Sequence, residues 1–174
     1  MIVIRQEQPQ DIEEIREVNV QAFGQSEEAD IIDALRRNCS DLLSLVAIKE
    51  EQVVGHILFS RATLGEHNKV VNGMALGPMA VRPDLQRQGI GSELVQTGIK
   101  ELKNRRCPFV ILLGHSQFYP RFGFESASRR GILCEWEAPE EAFMILVLNE
   151  PDLHGVTGLA RYRPEFKGET SGYE

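Results

Sequence analysis

The residue types best suited to chemistry lie in Gly77-Pro-Met-Ala-Val-Arg-Pro-Asp-Leu-Gln-Arg-Gln-Gly-Ile-Gly-Ser92. Their order reads as a short strand, a tight turn and the start of a helix. Gly89 and Gly91 sit where turn becomes helix, and such a junction leaves backbone N–H groups without intrahelical acceptors. The positive end of the helix dipole stands behind them. An anion, a phosphate above all, is the natural occupant. The cysteines offer less. Cys39, Cys107 and Cys134 are odd in number and widely spaced, with no CxxC or Cys/His metal spacing. They are expected as free thiols in a reducing cytosol, and no metal is expected.

The elements that must hold this turn follow from periodicity. Ile2–Arg5 reads as a strand. After Pro9 a helix is predicted with Ile12, Ile15, Val18, Ala22 and Phe23 near one face, ended by Gly24. Ser26 is placed to cap a second helix that turns Ala29, Ile32 and Leu35 inward. Leu42–Lys49 and Val53–Leu64 read as a hairpin across Glu50-Glu-Gln52, followed by a polar loop at Gly65–Lys69. Met74–Val81 is a further strand, interrupted at Gly77-Pro78. Ile90, Leu94, Val95, Gly98, Ile99 and Leu102 form one stripe at helical spacing. Pro108 stops that helix, and Phe109–Leu113 has the unbroken apolar run of a strand buried on both faces. Gly114–Pro120 reads as a turn or short helix, and Phe122-Gly-Phe124 as a return to the sheet. Ile132–Trp136 and Phe143–Leu148 are strands, and the chain beyond Pro151 is weakly patterned. The order predicts a mixed α/β fold: a mostly antiparallel twisted sheet flanked by helices, in one domain over 1–150, with a C-terminal extension at 151–174.

Two familiar phosphate loops fail. A Walker loop requires GxxxxGK[ST], and Gly91 is followed by Ser92 with no lysine. A dinucleotide fingerprint requires a third glycine inside a parallel βαβ unit, and this turn follows a hairpin. A bare helix N-terminus is the plain alternative. The pattern Gln86-x-x-Gly89-x-Gly91, together with Phe118-Tyr-Pro-Arg-Phe-Gly-Phe124 about 30 residues later, resembles the GNAT superfamily of N-acetyltransferases. The matching core runs from about Met74 to Glu125, and the element order extends it over about 1–150. The Gly155–Phe166 segment resembles endings in a YhbS-like group of bacterial acetyltransferases.

The resemblance implies an acetyl-CoA-dependent N-acetyltransferase. Backbone N–H groups of Arg87, Gln88, Gly89, Ile90, Gly91 and Ser92 would cradle the coenzyme A pyrophosphate. Met79, Ala80 and Val81 would offer backbone groups to the pantetheine arm and thioester. Pro78 would mark a bulge where the sheet opens beside that arm. Arg82, Arg87 and Arg121 are candidates for the phosphates. Tyr119 would protonate the leaving thiolate, and a backbone N–H would hold the oxyanion. Pro120 departs from the acidic residue common in relatives, and Gly114–Phe118 lacks their Asn and Ala positions. The base stays open among His56, His67, His115, Glu66 and a water relay. His115, just past the buried strand on the side where the cofactor is expected, is carried forward with Tyr119. The acceptor is a small-molecule or protein amine. A non-catalytic acyl-CoA sensor and a nucleotide-binding protein are the alternative readings.

Composition bounds the rest. The 174 residues suffice for a real core, with 42% hydrophobic and 26% charged residues. The net charge of −7 argues against a nucleic-acid partner and suits a cationic acceptor. Acidic residues enter within the first ten positions, unlike a signal peptide, and no apolar run approaches the roughly 20 residues of a membrane span. A cytoplasmic location without membrane contact is expected. The C-terminal segment is left to cover the acceptor site or to pair strands with a second subunit in a homodimer.

Overall fold

The computed structural model describes residues 1–67 and 69–166. The described residues gather into two compact units, Met1–Phe59 with Gly77–Glu101, and those of Ser60–Leu76 with Leu102–Phe166.

The first unit contains β1 (Val3–Gln6), α1 (Ile12–Phe23), α2 (Glu27–Asn38) and β2 (Leu43–Lys49). It also takes the first half of β3 (Gln52–Glu66), the end of β4 (Lys69–Val81) and most of α3 (Ile90–Asn104). β1, β2 and β3 pair antiparallel in sequence order, with a register shift between Ala47 and Ile48. The β2–β3 turn runs through Glu50 at φ 50° and Glu51 at φ 65°. Both values lie in the left-handed region that a two-residue hairpin turn with the right twist requires.

Helix α1 starts after a Pro9–Asp11 turn in which Asp11 accepts from Arg5 and from the Gln8 amide. Its inward stripe differs from the predicted one in an instructive way. Ile12 is 36% exposed, while Asn19 is fully buried among Ile15 and Val18. A helical side chain leans toward the helix N-terminus, so Ile12, the first residue of α1, leans past the end of the helix. Ala29, Ile32 and Leu35 of α2 are buried as expected. Ser26 stands at its N-cap, but its side chain makes no capping bond. The α3 stripe is buried at Ile90, Leu94, Val95 and Ile99. Gly98 is required by closeness: a Cβ there would lie 2.4 Å from the buried Phe59 ring.

The second unit holds the far half of β3, the first part of β4, β5 (Phe109–Leu113) and β6 (Glu125–Ser126). It continues through β7 (Ile132–Cys134), β8 (Phe143–Val147), the single-turn α4 (Glu150–Leu153) and β9 (Gly158–Arg161). β4 and β5 pair in parallel at Met74–Val110 and Ala75–Ile111. β8 lies antiparallel to β5 and to β6. β9 pairs antiparallel with β3 and parallel with β7. Phe109, Ile111, Ile145, Leu64 and Ala160 fill one apolar core.

Three expectations are corrected in this unit. The polar loop at Gly65–Lys69 contracts, because β3 runs to Glu66 and β4 begins at Lys69. Phe122-Gly-Phe124 is not a strand: Tyr119–Phe122 is a 3-10 turn closed by Gly123 N–H to Pro120 O, and the strand that follows is Glu125–Ser126. The weakly patterned tail contains β9, a four-residue strand whose partners are remote in sequence and leave no local signature. The fold is mixed α/β, with antiparallel pairing in the majority of the strand pairs above. Among the described residues no helix is long and apolar enough to cross a membrane.

Candidate functional site

The glycine turn lies in the first unit and is built from β4 forward. Arg82 N–H donates to Val54 O at 2.8 Å, which anchors the end of β4 on β3. A 3-10 turn over Pro83–Leu85 follows, and the Gln86 side-chain amide reaches back to Val81 O at 3.0 Å. The chain then passes Arg87 at φ 62° and Gly89 at φ 91°. The first α-helical bond of α3 is Glu93 N–H to Gly89 O. The N–H groups of Ile90, Gly91 and Ser92 therefore precede any intrahelical acceptor. Arg87, Gln88 and Gly89 are exposed, while Ile90 is buried. Ile90 and Leu94 seat the helix over Gly55 of β3, where even a Cβ would come within 3.2 Å of both side chains.

Gly91 shows what this cradle is shaped for. Its φ lies outside the left-handed region, and a Cβ added there would meet Met79 at 3.6 Å and Val81 at 3.9 Å, ordinary contact distances. Neither backbone conformation nor packing demands glycine. The absent side chain leaves room beside three donor N–H groups for an anion to approach the backbone closely. Ala80 is buried against Ile15, Val18, Val46 and Val53. Gly77 stands at φ 135° before Pro78, across a cis peptide bond, and Pro78 brings no backbone N–H.

Of the predicted phosphate contacts, Arg82 is engaged by Asp84, at 2.7 and 2.9 Å, and by Gln52. Arg87 projects from the loop itself. Arg121 lies in the second unit with its guanidinium 4.7 Å above the Phe118 ring.

Tyr119 also belongs to the second unit. Gly114 makes room for its ring, since a Cβ at 114 would fall 2.5 Å from Tyr119 Cε2. Phe118 and Phe124 meet the ring edge-on, with centroids at 4.9 and 5.8 Å. The N–H groups of Phe118 and Tyr119 both point to His115 O. Burial drives the Tyr119 phenol well above its ordinary value, so it stays protonated in any ordinary buffer. The His115 side chain is exposed.

The remaining base candidates separate by environment. His67 is exposed on the β3–β4 turn, and Glu66 is exposed against Gly158. His56 is fully buried in the first unit, and both ring nitrogens are engaged. Asn19 Nδ2 donates to Ile15 O at 2.9 Å and faces His56 Nδ1 at 3.3 Å. An amide NH2 can only donate, so Nδ1 accepts and the ring proton sits on Nε2. That proton goes to Ser44 Oγ at 2.9 Å, and Ser44 Oγ donates to Glu7 Oε1 at 2.5 Å. Glu7 also takes two bonds from Arg36, at 2.8 and 3.0 Å. Burial lowers the His56 pKa to about 4, with Glu7 opposing and Arg36 adding to the drop. Burial would raise Glu7, but the bonds from Arg36 and Ser44 outweigh it and hold the carboxyl below its usual range.

This thread escaped the sequence reading. Its trace was a polar Asn19 inside an apolar helical stripe, and a histidine inside the apolar run of β3.

Comparison with known proteins places the chain in context. The acetyltransferase (GNAT) domain model matches residues 3–127. The uncharacterized N-acetyltransferase YjhQ of Escherichia coli is 44% identical over 135 residues, which cover 75% of this chain and 74% of that protein. The crystal structure of the GNAT family N-acetyltransferase YhbS from Escherichia coli, in complex with CoA, superposes with a TM-score of 0.87. It is 33% identical and covers 95% of this chain and 92% of that one. A GNAT family acetyltransferase from Brucella melitensis in complex with acetyl-CoA gives a TM-score of 0.76 at 33% identity, over 95% of this chain and 98% of that one.

Proposed function

Because the chain belongs to the GNAT family and is an N-acetyltransferase, we propose that it moves an acetyl group from acetyl-CoA to a primary amine by direct attack. The observation that carries this reading is Gly91, a glycine that the protein's own conformation and packing do not require, beside the donor N–H groups of α3. Two relatives of similar length hold CoA and acetyl-CoA. The backbone of Arg87–Ser92 takes the pyrophosphate, with charge-assisted N–H bonds at a helix N-terminus. Met79, Ala80 and Val81 take the pantetheine arm along β4.

Acetyl-CoA supplies an activated carbonyl whose C–S bond breaks as the N–C bond to the amine forms. The amine must arrive neutral, and its ordinary pKa near 10 means that its proton leaves to a base or to water. No covalent intermediate on the protein is needed. Tyr119 holds a proton at its phenolic oxygen for the departing sulfur. Its raised pKa suits a hydrogen bond to the thiolate better than complete transfer, because a phenol that resists ionisation is a weak acid. His115, exposed beside Tyr119, is the candidate base, directly or through water.

The test is thiol release from acetyl-CoA against a panel of small amines and lysine- or amino-terminal peptides. Amine-dependent release is expected, with Tyr119→Phe lowering kcat by about 10²-fold and leaving acetyl-CoA affinity unchanged. Release that no amine stimulates would sink the acetyl-transfer reading. Because the Tyr119 phenol stays protonated, kcat should show no loss traceable to Tyr119 up to pH 10.

A further inference from the structure

We infer that His56 is a positioning residue for the Met79–Val81 segment, acting through helix α1; the inference rests on that segment's proposed contact with the coenzyme A arm.

The polar thread described above joins four elements of the first unit and the residue that follows β1. Asn19 on α1 donates to His56 on β3, which donates to Ser44 on β2, which donates to Glu7 just past β1. Arg36 on α2 closes it from the other side. Each link has one donor and one acceptor, so the thread has a single arrangement.

The thread lies beside β4. Arg82 N–H bonds Val54 O where β4 runs antiparallel to its neighbour β3, so two residues back along β4 and two forward along β3 bring Ala80 level with His56. Ile15 and Val18 of helix α1 share one apolar cluster with Ala80, and the buried Asn19 sits on that same helix face. Apolar contacts alone would let α1 slide or turn on the strand. The Asn19–His56 bond sets its height and rotation over Ala80. A leucine pair would fill the same space at lower polar cost. The fold instead keeps the Asn19 Oδ1 oxygen buried with no hydrogen-bond partner among the described residues, in order to point Nδ2 at Ile15 O and His56.

The experiment titrates acetyl-CoA and CoA by calorimetry into wild type, His56→Leu, Asn19→Leu, the double variant and His56→Gln. Each is held below its own melting temperature, with circular dichroism matching the folded wild type. Both single leucine variants should weaken acetyl-CoA about tenfold, and the double variant should lose no more than either alone. His56→Gln keeps a donor toward Ser44 and an acceptor toward Asn19, and should stay within about twofold of wild type. Leucine variants with lowered melting temperature but unchanged affinity overturn the inference and leave the cofactor reading intact. If His56→Leu does not fold, Asn19→Leu and His56→Gln decide by the same measure. A wild type that binds neither acetyl-CoA nor CoA overturns the cofactor reading, and this inference with it.

Discussion

At Gly91 the first atom beyond the backbone decides whether the cradle stays open. Alanine would meet Met79 and Val81 at ordinary distances, while a branched side chain adds bulk beside the free N–H groups of Ile90, Gly91 and Ser92. Gly91→Val should therefore keep the fold and raise the Kd for acetyl-CoA at least about tenfold, read by calorimetry. An unchanged Kd would mean that the anion sits elsewhere. Gly89 differs, because its φ of 91° makes any side chain a backbone problem. The two glycines look alike in the sequence, and their spacing was enough to mark an anion site. Their separate reasons were not legible, since neither φ nor the neighbours of a missing Cβ can be read from residue order. Tyr119 was legible as a residue worth singling out, but not as the centre of an aromatic cage that suppresses its ionisation.

At the scale of elements, legibility followed the strength of local pattern. β5 was delimited to the residue by its apolar run, and the stripe located α3, which ends at Asn104, short of the expected stop at Pro108. β9 was lost, and the return to the sheet was set at Phe122–Phe124 instead of Glu125–Ser126, because two- and four-residue strands are made by remote partners rather than by periodicity. The α1 stripe held at Ile15, Val18, Ala22 and Phe23, erred at Ile12 and left out Asn19, and with Asn19 the route to His56. The α3–β3 contact supplies a prediction of its own. Gly98→Val would force a side chain into the Phe59 ring, which is fully buried and cannot move aside. Chemical denaturation should show a loss of roughly 1–3 kcal/mol, the usual cost of overpacking, despite the better helix propensity of the new residue. A neutral result would require α3 to lie farther from β3.

At the scale of the molecule, the buried thread couples stability to pH. His56 titrates at about 4 when folded and at 6.5 when unfolded. Between those values the unfolded chain binds a proton that the folded chain refuses, so stability falls as pH drops through that window. The full difference is on the order of 3 kcal/mol. Glu7 and Asp11 add a second, lower window. The Arg5 bond lowers Asp11, and the Arg36 and Ser44 bonds prevail over burial at Glu7, so both contribute stability that is lost as pH falls below their ordinary carboxylate values. Urea melts from pH 7 to 5 should show wild type weakening and His56→Gln staying nearly flat; parallel curves would contradict the assignment. The −7 charge was visible in composition, but composition could not say which groups are buried. A last consequence belongs to the β2–β3 turn. Glu50 and Glu51 both hold left-handed backbone angles that glutamate disfavours and that Asn-Gly adopts readily. This places an unused reserve of thermal tolerance on the surface, available to engineering without touching the cradle. Glu50→Asn with Glu51→Gly should raise the melting temperature by several degrees, worth roughly 1 kcal/mol, while acetyl-CoA affinity stays unchanged.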